Sequence, residues 1–135
     1  MPIVVGYVPS PEGRAALSRA IEEARLRSRR LIVVNASRGD ALVDRRHASA
    51  ADWDSVQQDL TDSGVEFEVS QQVEARDPGD QVLDVAQQTN AELIVIGLRR
   101  RTPVGKLIMG SAAQTILLEA DAPVLAVKAA REDEK

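Results

Sequence analysis

Three arginines, a lysine and three glycines fall within fifteen residues, Gly97-Leu-Arg-Arg-Arg-Thr-Pro-Val-Gly-Lys-Leu-Ile-Met-Gly110-Ser111. The run leaves a stretch of strand character, Ala91-Glu-Leu-Ile-Val-Ile96, and enters one of helical character, Ala112-Ala-Gln-Thr-Ile-Leu-Leu-Glu-Ala120. A strand, a glycine-punctuated basic loop and a helix start together suit an anion such as phosphate. The first N–H groups of a helix have no intrahelical partner, and the helix dipole places partial positive charge there. Gly97, Gly110 and Ser111 are therefore candidates for the phosphate side, with Arg99 and Arg100 as candidate charge partners. Two readings of the arginines stay open: a phosphate clamp, or a solvated cationic run paired with the chain's many acids. Ser111 reads first as the N-cap of the next helix, a role compatible with a phosphate contact.

Composition removes most other chemistry. Cysteine is absent, so there is no thiolate site; the single histidine, His47, cannot build a zinc site alone, and Ser-His-Asp chemistry is excluded at any position away from residue 47. His47 sits among Arg45, Arg46 and Ser49 and reads as a surface residue. No catalytic residue and no metal ligand is assigned. Aromatic residues make up 2% and the net charge is −4, which argues against a nucleic-acid partner that needs stacking platforms or a basic surface. No segment reaches the roughly 18 apolar residues of a membrane span. No leader pattern opens the chain, so the expected location is cytoplasmic.

These candidate residues need a scaffold, and the hydrophobic pattern supplies one. Pro2–Val8 is a continuous apolar run, read as a strand buried on both faces. Ser10 followed by Pro11 is a helix N-cap with proline at the first helical position, and Leu17, Ala20, Ile21 and Ala24 give the following segment its helical period. Leu31–Ala36 is a second strand. A helix over about 45–63 carries Trp53, Val56 and Leu60 and is closed by Gly64. Val65–Val73 alternates apolar and polar, as an edge strand does. Asp77-Pro78 opens a third helix that Asn90 closes, Leu93–Gly97 is an apolar central strand, and Ala122–Val127 is the final strand. Strands alternating with helices imply a parallel sheet covered on both faces, order 2-1-3-4-5 or a relative of it. The 135 residues suit one domain over 1–128, with a polar tail over 129–135.

The frame Gly97-x2-Arg100-x9-Gly110-Ser111 resembles the Gly-x2-Gly-x9-Gly-(Ser/Thr) motif of the universal stress protein family. The resemblance extends to the alternation of elements and to the ending Ala122-Pro-Val-Leu-Ala-Val127, so it covers essentially the whole chain. It implies a five-stranded parallel sheet of order 3-2-1-4-5 with helices on both faces. It also implies an adenine nucleotide (ATP, ADP or AMP) in the crevice between strands 1 and 4, with Mg²⁺ if a triphosphate is bound. Carried over by position, Gly97, Gly110 and Ser111 match the phosphate loop, and Ala112 and Ala113 offer backbone N–H groups. Val8, Pro9 and Ser10 form the turn after strand 1, and Ala36 lies on the adenine side. Two positions depart from the family pattern. Val8 stands where nucleotide-binding members carry an aspartate, and Arg100 replaces the second glycine. The resemblance implies a homodimer paired through Val124–Val127; hydrolysis is expected to be very slow at most, because nothing in the sequence positions a water for attack. The alternative is a dimeric interaction module of the same fold that binds no nucleotide.

Overall fold

The computed structural model describes residues 1–35, 43–70, 77–101, 106–108 and 110–129, with backbone alone at 43–52, 99–101, 106–108 and 111. In chain order the elements are β1 (Ile3–Tyr7), α1 (Pro11–Arg27), β2 (Leu31–Asn35), α2 (Val43–Ser63) and β3 (Phe67–Ser70). They continue with α3 (Pro78–Thr89), β4 (Leu93–Arg101), β5 (Lys106–Ile108), α4 (Ser111–Glu119) and β6 (Val124–Lys128). Five strands are parallel in the order β3-β2-β1-β4-β6, which is 3-2-1-4-5 when the parallel strands alone are counted. The order implied by the family resemblance is the one observed.

Each strand's place follows from its composition. β1 and the start of β4 are apolar on both faces because both faces are covered. Ile3, Val5, Tyr7, Leu93 and Val95 join Leu17 and Ala20 of α1 and Val56 and Leu60 of α2 in one core. Val4, Ile94 and Ile96 join Val82 and Val85 of α3 and Ala113 and Ile116 of α4 in the other. β3 pairs only with β2 among the described residues and is half exposed, as its alternation predicts. Tyr7 is 1% exposed, and its ring lies 5.8 Å from that of Trp53 at 42°, so both aromatics serve packing.

The caps written in the sequence form. Ser10 Oγ accepts from Gly13 N at 3.0 Å, with Pro11 in the first helical turn. Asp77 Oδ2 accepts from Gly79 N at 3.0 Å and Asp80 N at 3.3 Å. Asn90 (φ 56°) and Gly64 (φ 76°) take left-handed conformations where α3 and α2 end. Ser28 does the same after α1, its N–H donating to the Ala24 and Arg25 carbonyls.

Two expectations are corrected. The described part of the basic run is strand: β4 continues through Arg101, and Lys106–Ile108 folds back as β5, antiparallel, with Arg99 opposite Ile108, Arg100 opposite Leu107 and Arg101 opposite Lys106. Reading the strand as ending at Gly97 gave the charges more weight than the ladder hydrogen bonds that an extended backbone gains by folding onto Leu107 and Ile108. Ser111 is also not the N-cap. Gly110 is, with extended dihedrals (φ −70°, ψ 165°) and its carbonyl accepting from Gln114 N at 3.0 Å, which makes Ser111 the first helical residue.

At the amino ends of the strands, charged side chains tie three segments together. Glu23, 9% exposed, accepts from Arg27 Nε at 3.0 Å and pairs with Arg19 at 3.3 Å. Glu92, just before β4, accepts from Arg27 Nη1 at 2.7 Å and Arg29 Nε at 2.8 Å. The Arg27 hydrogen bond, ahead of that from Arg29, holds the Glu92 carboxyl below the usual carboxylate range, and the Arg27 guanidinium is held protonated still more firmly. This network stands at the opposite end of the sheet from the candidate site and fixes how α1 and β2 meet β4.

Candidate functional site: the crevice between β1 and β4

At the carboxyl ends of β1 and β4 the chain departs in opposite directions. From β1 it passes to α1, on the face shared with α2, and beyond β4 it reaches α4, on the face shared with α3. Such a switch point opens a crevice, and open parallel sheets bind their ligands there. Val8, Pro9 and Ser10 border it from β1. Gly97 and the hairpin border it from β4, and Gly110 to Ala113 form the start of α4.

The start of α4 differs from those of α1 and α3. Those two helices carry side-chain caps, Ser10 and Asp77, whereas α4 has none, because its N-cap is Gly110. Its first intrahelical bond is from Gln114 N to the Gly110 carbonyl. The amides of Ser111, Ala112 and Ala113 are thus left for a partner from outside the helix. Among the described residues nothing lies within 4 Å of where a Cβ on Gly110 would stand, and its dihedrals do not require glycine. The open space beside an uncapped helix start is what an approaching anion needs.

Gly97 has a different reason to be glycine. A Cβ there would stand 2.3 Å from the Glu12 carbonyl oxygen and 2.7 Å from its carbon, so α1's first turn occupies that side of the residue. Gly13, which no motif singled out, is tighter still: its Cβ would collide with the Val8 carbonyl. A glycine inside the first turn of a helix that already has a proline and a serine cap was the available signal. Both contacts press the start of α1 against the end of the crevice. Gly79 plays a like part for α3: a Cβ there would crowd the Ala112 carbonyl oxygen at 3.0 Å, so its absence lets the starts of α3 and α4 lie close together.

The remaining candidates divide plainly. Val8 is half-buried and packs against the α3/α4 core, so an apolar side chain stands at the end of β1. Pro9 is exposed, and Ser10 Oγ is occupied as acceptor by the α1 cap. The backbone of Arg99 and Arg100 lies in β4, opposite Ile108 and Leu107 of β5. Ala36 lies outside the described residues. The carboxylates of Asp40, Asp44 and Asp52, like the ring of His47, also lie outside the described side chains. No helix among the described residues is long and apolar enough to cross a membrane.

A parallel sheet covered on both faces, with its strands and helices alternating along the chain, defines a small doubly wound α/β protein. The profile of the universal stress protein family matches residues 1–128, and the chain belongs to that family. A universal stress protein of Mycolicibacterium smegmatis is 51% identical over 126 residues, covering 93% of this chain and 96% of the relative. A solved universal stress protein of Archaeoglobus fulgidus superposes with a TM-score of 0.77 at 34% identity, covering 95% of this chain and 98% of that one. A universal stress protein of the same organism solved in complex with dAMP gives a TM-score of 0.71 at 29% identity, with 95% and 98% coverage.

Proposed function

We propose that this protein binds an adenine nucleotide in the crevice between β1 and β4, with the phosphates at the start of α4. The observation that carries the reading is the uncapped start of α4 beside the open space at Gly110. Three backbone amides and the helix dipole supply the phosphate side, and Arg99 or Arg100 supplies charge from the hairpin. The dAMP-bound relative supports an adenine nucleotide over other anions. Gly97, Gly110, Ser111, Ala112 and Ala113 form the phosphate side, and Val8, Pro9, Ser10 and Ala36 the nucleoside side. Mg²⁺ accompanies the ligand only where a triphosphate is bound. ATP turnover is absent or very slow, since no group that could orient an attacking water is assigned. The protein works in the cytoplasm as a stress-response module.

One observation favours the alternative, a dimeric interaction module without nucleotide. Val8 puts no carboxylate at the end of β1, and a charge-assisted hydrogen bond to the nucleoside would contribute about 1.5–3 kcal/mol. In either reading two copies pair through Val124–Val127. β6 has β4 on one side, and its other edge has no strand partner among the described residues.

Calorimetric titration with ATP, ADP and AMP tests the proposal. With one Trp and one Tyr in the chain, a co-purified nucleotide would also dominate the ultraviolet spectrum. Absence of heat with all three at millimolar concentration would transfer the assignment to the interaction module.

A further inference from the structure

α1 and α2 cover the same core, and their polar flanks meet across a groove. Arg14 follows Glu12 by about 200° of helix, so the groove lies on the flank of α1 turned away from Gly97 and the crevice. Arg14 crosses it, Nη2 donating to Ser55 Oγ at 3.1 Å and to Asp59 Oδ2 at 3.2 Å. Arg25 crosses about three turns later, donating to the Ser63 carbonyl at 3.1 Å. Beside the Arg14 strap is a groove of about 350 Å³, lined by Leu17, Ser18 and Ile21 of α1 and by Asp59, Asp62 and Ser63 of α2. Leu17 and Ile21 give it an apolar floor.

The charges on the α2 side are set against their own helix. Asp59 and Asp62 stand near its end, where the dipole is negative, and the last turn holds no basic residue. Like charges three residues apart also repel. Asp59 pairs with Arg14 through Oδ2 alone. Asp62 has no ion pair among the described residues, and its Oδ1 accepts from Gln58 Nε2 at 2.9 Å. One oxygen of each exposed carboxylate is thus left for a donor from outside the fold.

With two carboxylates against Arg14, the lining is net negative and repels an anion. A bare divalent ion would gain nothing from Leu17 and Ile21. The complement to both walls is an aliphatic chain carrying ammonium groups. At i and i+3, Asp59 and Asp62 hold their Cβ atoms about 5–6 Å apart, the separation of two ammonium groups joined by three or four methylenes. We propose that the α1–α2 groove binds a linear aliphatic polyamine, its ammonium groups on Asp59 and Asp62 and its methylenes on Leu17 and Ile21. Because the bound cations offset the charge at the end of α2, binding stabilises the fold.

Spermidine is the probe, titrated into the isotopically labelled full chain and followed by amide shifts at 17–21 and 59–63. The shifts are expected to saturate at about millimolar concentration, and the melting temperature to rise with them. Asp59→Asn and Asp62→Asn combined should weaken binding about tenfold, the product of two exposed ion pairs. Both acids are exposed, so this protein keeps its fold, which its melting curve checks. Ile21→Ala should weaken binding about threefold with both charges in place. Glu22→Gln, an exposed acid of α1 outside the groove, should leave it unchanged. Equal affinity in the doubly neutralised protein would overturn the proposal. So would matching shifts from Mg²⁺ at equal ionic strength, which would reduce the effect to screening. Equal affinity for 1-aminobutane, which stands in for a single lysine side chain, would also overturn it.

Discussion

The two glycines that bracket the motif make separable predictions. A methyl group at position 97 would stand 2.3 Å from the Glu12 carbonyl oxygen, where ordinary contact begins at 3.4 Å. In Gly97→Ala the first turn of α1 must therefore retreat by about 1 Å from β4, against packing that includes Gly13 on the Val8 carbonyl. Overpacking of this kind costs about 1–3 kcal/mol. For a chain of this size that corresponds to a fall in melting temperature of about 3–15 °C. Gly110→Ala meets no atom among the described residues and keeps its dihedrals, so it loses only the N-cap preference of glycine over alanine, roughly 0.5–1 kcal/mol. Its larger effect should be on the ligand, because the methyl group enters the space proposed for the anion. Differential scanning calorimetry and ATP titration on both variants separate the roles. Gly97→Ala should be the less stable protein and Gly110→Ala the weaker binder. A Gly97→Ala protein that melts with its parent would refute the close approach of α1, and undiminished affinity in Gly110→Ala would refute the placement of the phosphates.

Three further outcomes follow from single contacts. Ser10→Ala removes the bond from Gly13 N and should lower stability by about 1 kcal/mol in a urea titration, with Ser10→Gly recovering most of it. Glu92→Gln tests the network at the far end of the sheet. Because the folded protein holds the Glu92 carboxyl below its unfolded value of about 4.3, its contribution is complete above that pH and is lost as the pH falls through the depressed value. The stability gap between parent and Glu92→Gln should thus be constant near neutrality and close in acid, and a gap independent of pH would exclude the ion pairs as its source. The Pro123 carbonyl accepts from Ile94 N, so alternate β6 residues bond β4 and the Ala126 amide faces the outer edge; Ala126→Pro should therefore yield monomers by sedimentation equilibrium, whereas an unaltered assembly would place the interface elsewhere.

The sequence made the scaffold legible where one residue could do one thing. Ser10-Pro11, Asp77-Pro78, Asn90 and Gly64 marked helix ends because their side chains or permitted φ values suit those positions. Continuous apolar runs marked central strands because both faces are covered. The hairpin was missed because Arg99–Arg101 are strand residues by pairing and not by preference. Their extended state depends on Lys106–Ile108 returning across four intervening residues, a contact that a local window cannot contain. The role of Gly97 was hidden for the same kind of reason, since its crowding comes from Glu12, eighty-five positions earlier in the chain. A motif glycine therefore carries two separable meanings, close approach of the chain to itself and close approach to a ligand. Only the space around each residue tells them apart: at 97 it is filled from within the fold, and at 110 no described residue fills it.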